Sequence, residues 1–169
     1  MLAADDPRQT DAPGGAQLLI GRWRLTVRAH YLITARILGL ERYHFDTLSD
    51  LVPEDLALGW GPMSDNKNLL HVEITQSNRF YFWRAPAGTP IPKDSIILHS
   101  ANTHVIPRDA LVARQLKRLR PGEVVTLTGD LVDGVRDDGA WINTSLVRTD
   151  TGAGACEVML VSDVALLSP

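Results

Sequence analysis

"RDALVARQLKRLRPGEVVTLTGDLVDG", residues 108–134, changes its period midway, and that change decides the fold class. Over 108–120, Leu111, Val112, Leu116 and Leu119 form one apolar stripe, with Arg114, Lys117 and Arg118 largely on the wet side, the spacing of an amphipathic helix. Pro121-Gly122 ends it, since proline cannot continue a helix. Beyond that point the period drops to two. Val125, Leu127 and Leu131 point one way, and Thr126, Thr128 and Asp130 point the other. The segment is therefore a helix that delivers a strand.

Upstream, "RWRLTVRAHYLITARIL" (22–38) also has period two. Trp23, Leu25, Val27, Ala29, Tyr31, Ile33, Ala35 and Ile37 share one parity, which reads as one long, bent strand or two in series. "DTLSDLVPEDLALGWG" (46–61) reads as a short helix capped by Ser49 or Asp50, with Pro53 in its first turn and Gly59 as its stop. "MSDNKNLLHVEI" adds a second helical turn with Ser64 or Asp65 as cap, and "RFYFW" (79–83) is a strand. "APAGTPIP" is a loop, and "SIILHSANTHVI" (95–106) is a strand closed by Pro107. After the helix, "EVVTLTGDLVDG" and "AWINTSLVR" form a hairpin through Asp138-Gly139, and "TDTGAGA" leads into a last strand, "CEVMLVSDVALL".

Residues 1–18 read as a flexible lead and 19–169 as one domain. A helix between the third and fourth strands of a small Greek-key barrel is the OB arrangement. The expected fold is mainly β: an OB-like antiparallel barrel with one helix after its third strand and a short helical insertion. Another α+β fold with a curved antiparallel sheet is the alternative.

The chain has 169 residues, 44% apolar and 22% charged, enough for an ordinary core. Its net charge of −3 argues against bulk, sequence-independent nucleic-acid binding. Cys156 is the only cysteine, so no intramolecular disulfide and no thiolate zinc cluster is expected. No apolar run is long enough for a membrane helix. The start lacks signal-peptide regions, and a targeting segment removed upstream is kept open by "LAA" at 2–4.

At "ERYHFDTLSDLVPEDLALGWGPMSD", "SANTHVIP" and "RTDTGAGACEVMLV" the chain resembles a group of small, uncharacterised bacterial proteins. The likeness spans roughly residues 40–162. It implies a bacterial origin and brings no activity, cofactor or catalytic residue.

"SANTHVIP" (100–107) is the most pointed candidate site. His99 and His104 are five positions apart and fall on opposite faces of a regular strand, which disfavours a shared metal. Ser100 and His104 share a face, but at about 3.3 Å per residue their Cα atoms lie roughly 13 Å apart, too far for a direct pair. What remains is a polar row of Ser100, Asn102 and His104, whose face the apolar count does not decide. Trp60, between two glycines with Ser64, Asp65 and Asn66 beside it, reads as a plug of the barrel or as an aromatic platform. Trp83 and Trp141 could extend such a surface, and Arg148 stands beside the Gly-rich 152–154 turn. The acids Asp46, Asp50, Glu54 and Asp55, with His44, read as helix capping or as an acid/base group. Arg22, Arg24, Arg28 and Arg36 read as a solvated outer face, as do Asp130, Asp133, Asp137 and Asp138.

With no complete catalytic constellation in the linear sequence, the first expectation is a non-enzymatic binding module. Its ligand would be a protein, glycan or oligonucleotide, held by Trp60, Ser64, Asn66, Ser100, Asn102, His104, Trp141 and Arg148. The second is a hydrolase-like enzyme pairing His104 with a carboxylate from 44–55 or 64–66. The third is a structural domain of a membrane-tethered envelope assembly. No cofactor or metal is expected.

Overall fold

The odd-numbered apolar residues of 23–37 are all buried, and they lie in a single twenty-residue strand. The computed structural model describes residues 2–149, 152 and 154–167. In chain order the strands are β1 (Arg8–Asp11), β2 (Gln17–Ile20), β3 (Trp23–Arg42), β4 (Glu54–Gly59), β5 (Glu73–Ser77), β6 (Phe80–Arg84), β7 (Ser100–Pro107), β8 (Val124–Arg136), β9 (Trp141–Ile142) and β10 (Glu157–Leu167). A 3-10 turn covers Gly61–Ser64, and the helices are α1 (Asn66–Leu69), α2 (Lys93–Leu98) and α3 (Ala110–Leu116). The protein is mainly β. Among the described residues no helix is long and apolar enough to cross a membrane.

Five strands close on themselves in the order β3-β4-β7-β10-β8 and back to β3. All ring pairs are antiparallel except β7 with β10, which is parallel. The main apolar cluster takes residues from all five, among them Ile33, Leu58, Val105, Leu127 and Met159, so it fills the ring. A second cluster, with Trp23, Leu25, Ile106, Val132 and Leu160, lies on the outside under β2, β9 and residues 48–52. β3 serves both because its register against β8 slips between Val27 and Ala29. That bulge turns the same sequence parity from the outer cluster to the inner one.

α3 starts at Asp109, whose side chain accepts from the Val112 N–H, and it buries Val112 and Leu116. Leu119 is buried just beyond its end, whereas Leu111 is 58% exposed and falls outside the expected stripe. The hairpin turn at Asp138-Gly139 is present, with Gly139 at φ 91°.

Several sequence expectations are corrected. Residues 54–59, read as the body of a helix, are strand β4. All six are buried, because β4 lies between β3 and β7 and is covered on both faces, so no polar alternation marks it. Residues 95–98, read as strand, belong to α2, which follows Pro92 and buries Ile96. Only Trp141 and Ile142 of "AWINTSLVR" are strand. Within the segment read as a flexible lead, β1 and the start of β2 pair with β3, and Ala3 is buried.

Candidate active site

β7 exposes neither face. Ala101 and Val105 point into the ring, while Asn102 and His104 share the outer face with Ile106. The antiparallel register sets Asp55 of β4 directly opposite His104, and cross-strand partners bring their side chains together. His104 Nδ1 is 2.8 Å from Asp55 Oδ1. The parallel register of β10 on β7 sets Glu157 beside Thr103, so Cys156, one residue earlier, arrives next to Asn102. The Asn102 amide nitrogen is 3.7 Å from Cys156 Sγ, and Cys156 lies close enough to His104 to raise the proton affinity of its imidazole. Burial alone pushes the imidazole down, but the hydrogen bond it donates to Asp55, the neighbouring Cys156 side chain and the charge of Asp55 push it up to about 9. His104 therefore carries its proton at neutral pH.

A β-hairpin clamps this row from outside. β5 and β6 are joined by Asn78-Arg79, both at positive φ (51° and 70°), the pattern of a two-residue type I′ turn. Neither residue is glycine, and Arg79 is held in place by its contacts. Its guanidinium grips both oxygens of Asp46 (2.6 and 2.8 Å), Asp55 Oδ1 (3.0 Å) and the Val52 carbonyl (2.9 Å), and lies 3.7 Å over the Tyr43 ring. Its N–H donates to the Tyr43 hydroxyl at 2.9 Å. Arg79 thus braces the carboxylate that braces His104.

The face opens on a cavity of about 290 Å³. Phe80, Tyr81, Phe82, Trp83 and Ile97 form its apolar walls, and Ser100, Asn102, Arg148, Cys156 and Glu157 supply polar groups. Ser100 donates to the Ile96 carbonyl and receives the Tyr81 hydroxyl, whose burial pushes it up to about 12, so it stays a neutral donor. Arg148 donates to the Pro7 carbonyl at 3.0 Å.

Ser100, Asn102 and His104 do share one face, but each engages partners outside β7 rather than forming a ladder among themselves. Ser100, Asn102 and Arg148 line the cavity, and His104 backs onto it through Cys156. Trp60 is fully buried with its Nε1 donating to Asp6 at 3.0 Å, which suits a plug and not a platform. Ser64 is sealed against Ala3 and Gly61, Asn66 meets Arg36, and Trp141, 67% exposed, lies on β9 opposite Val135. Those four stand apart from the cavity lining. Arg22 and Arg28 pair with Asp137 and Asp133 as a solvated face, and His30 pairs with Asp130. The acids at 46 and 55, read as helix capping or as an acid/base group, are both ion partners of Arg79, and Asp46 also accepts the Leu48 N–H of the turn that follows it.

Cys156, Arg79, Gln76 and Tyr81 were not singled out by sequence reasoning. The one available signal was a lone cysteine placed between a glycine-rich turn and an apolar strand. Among the described residues no three His, Cys, Asp or Glu side chains are placed to hold a metal ion together. No protein-family model, curated protein or solved structure matches the chain.

Proposed function

We propose that the protein is a cysteine-dependent hydrolase of small acyl compounds, built on an OB-like barrel. The observation that carries this is the His104–Asp55 pair with Cys156 beside it, the sulfur residue lining a cavity. A nucleophile beside a base that a third group orients is the recurring signature of covalent catalysis. Of the sequence expectations, the pairing of His104 with a carboxylate from 44–55 gains most support. The barrel reading is supported by the ring order, the single parallel pair β7–β10 and the position of α3 between the third and fourth ring strands.

In this reading Cys156 attacks as a thiolate while His104 holds the proton. His104 then donates its proton to the leaving group and takes one from the water that releases the acyl group. Asp55 fixes the ring and balances its charge. The aromatic walls and the volume of about 290 Å³ suit an apolar acyl group of about ten heavy atoms, at about 30 Å³ for each water-sized portion.

The test is a p-nitrophenyl butyrate reaction quenched in acid and read by intact mass. One acyl group per chain, mapped to Cys156 and absent in Cys156→Ser, is expected. His104→Gln should slow acylation by about 10²- to 10⁴-fold. An unmodified Cys156 during incubation with the ester, or a His104→Gln rate equal to wild type, refutes the proposal. Saturable ligand binding with no adduct would return the site to the binding-module reading.

A further inference from the structure

We infer that the Asn102 side-chain amide is the oxyanion donor of the Cys156 site, and that Gln76 fixes which way this amide faces. The inference rests on the hydrolase reading and adds a catalytic group to it.

An amide serves as a donor only if its nitrogen, not its oxygen, faces the sulfur. Two independent contacts set that choice. Asn102 Nδ2 lies 3.2 Å from the Arg79 carbonyl, which can only accept. Asn102 Oδ1 lies 2.9 Å from Gln76 Nε2, which can only donate. Gln76 is itself oriented, because its nitrogen is also 3.4 Å from the Asp55 carbonyl. Its oxygen occupies the space above Gly39, where an added Cβ would come within 2.6 Å of Oε1. Gly39 is thus the residue that makes room for Gln76.

Asn102 Nδ2 has two hydrogens. The Arg79 carbonyl, at 3.2 Å, takes one; the other has Asp55 Oδ2 at 3.5 Å and Cys156 Sγ at 3.7 Å within reach, so an oxyanion formed beside the sulfur would take it from these two long contacts. Asn102 is 4% exposed, so a charge forming there meets this fixed dipole and little water. When sulfur attacks an ester carbonyl, the C–S bond forms and the carbonyl π pair moves onto oxygen, where the amide receives it. Collapse restores the carbonyl and breaks the bond to the leaving oxygen, which departs with the His104 proton if it needs one.

Two reactions at the same sulfur separate this role from a structural one. Acylation by p-nitrophenyl butyrate passes through an oxyanion, and alkylation by iodoacetamide does not. Single-turnover acylation of Asn102→Ala should fall about 10²- to 10³-fold, with alkylation within about threefold of wild type. Gln76→Ala, at a half-buried position, should show the same split at smaller size, and it decides the matter if Asn102→Ala has lost its cooperative thermal transition. Acylation and alkylation falling together, or neither changing, overturns the role of Asn102. A wild-type protein that is alkylated but never acylated overturns the hydrolase reading, and this inference with it.

Discussion

Deprotonating His104 removes the charge that ties β7 to Asp55, and the structure sets the size of the effect. The imidazole is raised from 6.5 to about 9. At about 1.4 kcal/mol for each tenfold change in proton affinity, the folded state gains about 3 kcal/mol from holding this proton. The folded value lies above the unfolded one, so the contribution is complete below about 6.5 and is lost as pH rises through about 9. The titratable and charged groups around the ring are Asp55 from β4, Arg79 from the β5–β6 turn, reached through Asp55, and the Cys156 side chain from the approach to β10. Urea unfolding followed by tryptophan fluorescence across that window measures it directly. Wild type should lose about 3 kcal/mol more than His104→Gln between the two ends. Parallel stability curves for the two proteins would refute the assignment of a charged His104.

Two further expectations concern the barrel. At Gly129 an added Cβ would lie 2.0 Å from the Leu160 carbonyl oxygen and 3.1 Å from the Val161 Cα, both rigid strand backbone. Gly129→Ala should therefore cost more than about 4 kcal/mol and abolish the cooperative melt, and a midpoint near wild type would contradict the β8–β10 pairing. Asp6→Ala strips the acceptor from the buried Trp60 indole and should cost about 1–3 kcal/mol in urea unfolding, and an unchanged midpoint would contradict that hydrogen bond.

Local periodicity carried the parts of the fold that depend on one segment. α3, β8 and the long β3 are legible because each has one wet face and one dry face. β4 is not, because both of its faces are buried and its acids, Glu54 and Asp55, imitate a helix start. The same double burial explains the tied apolar count on β7: Ala101 and Val105 fill the ring, while Ile106 packs in the outer cluster. Parity correctly grouped Ser100, Asn102 and His104, and geometry correctly ruled out a Ser100–His104 pair. Their partners lay beyond local reading. Asp55 reaches His104 through an antiparallel register, and Cys156 reaches it through a parallel one, and each register is a long-range fact that no single segment encodes.

The β5–β6 hairpin turns this strand face into a site. It contributes a partner at every second position of β7: Tyr81 to Ser100, Gln76 and the Arg79 carbonyl to Asn102, and the Arg79 guanidinium, through Asp55, to His104. Arg79 and His104 meet two carboxylates there, Asp55 buried between them and Asp46 at the exposed rim. Such a cluster is a poor source of stability, since well-packed apolar residues do as well or better once desolvation is counted. Its value is positional. The turn is held on the barrel by the same carboxylate that orients the imidazole, so lifting the hairpin would strip Asp55 of Arg79. An ion-paired turn at positive φ, tied through Asp55 to a histidine with a cysteine and a cavity beside it, is the arrangement that the proposed hydrolase needs to fix its reacting group.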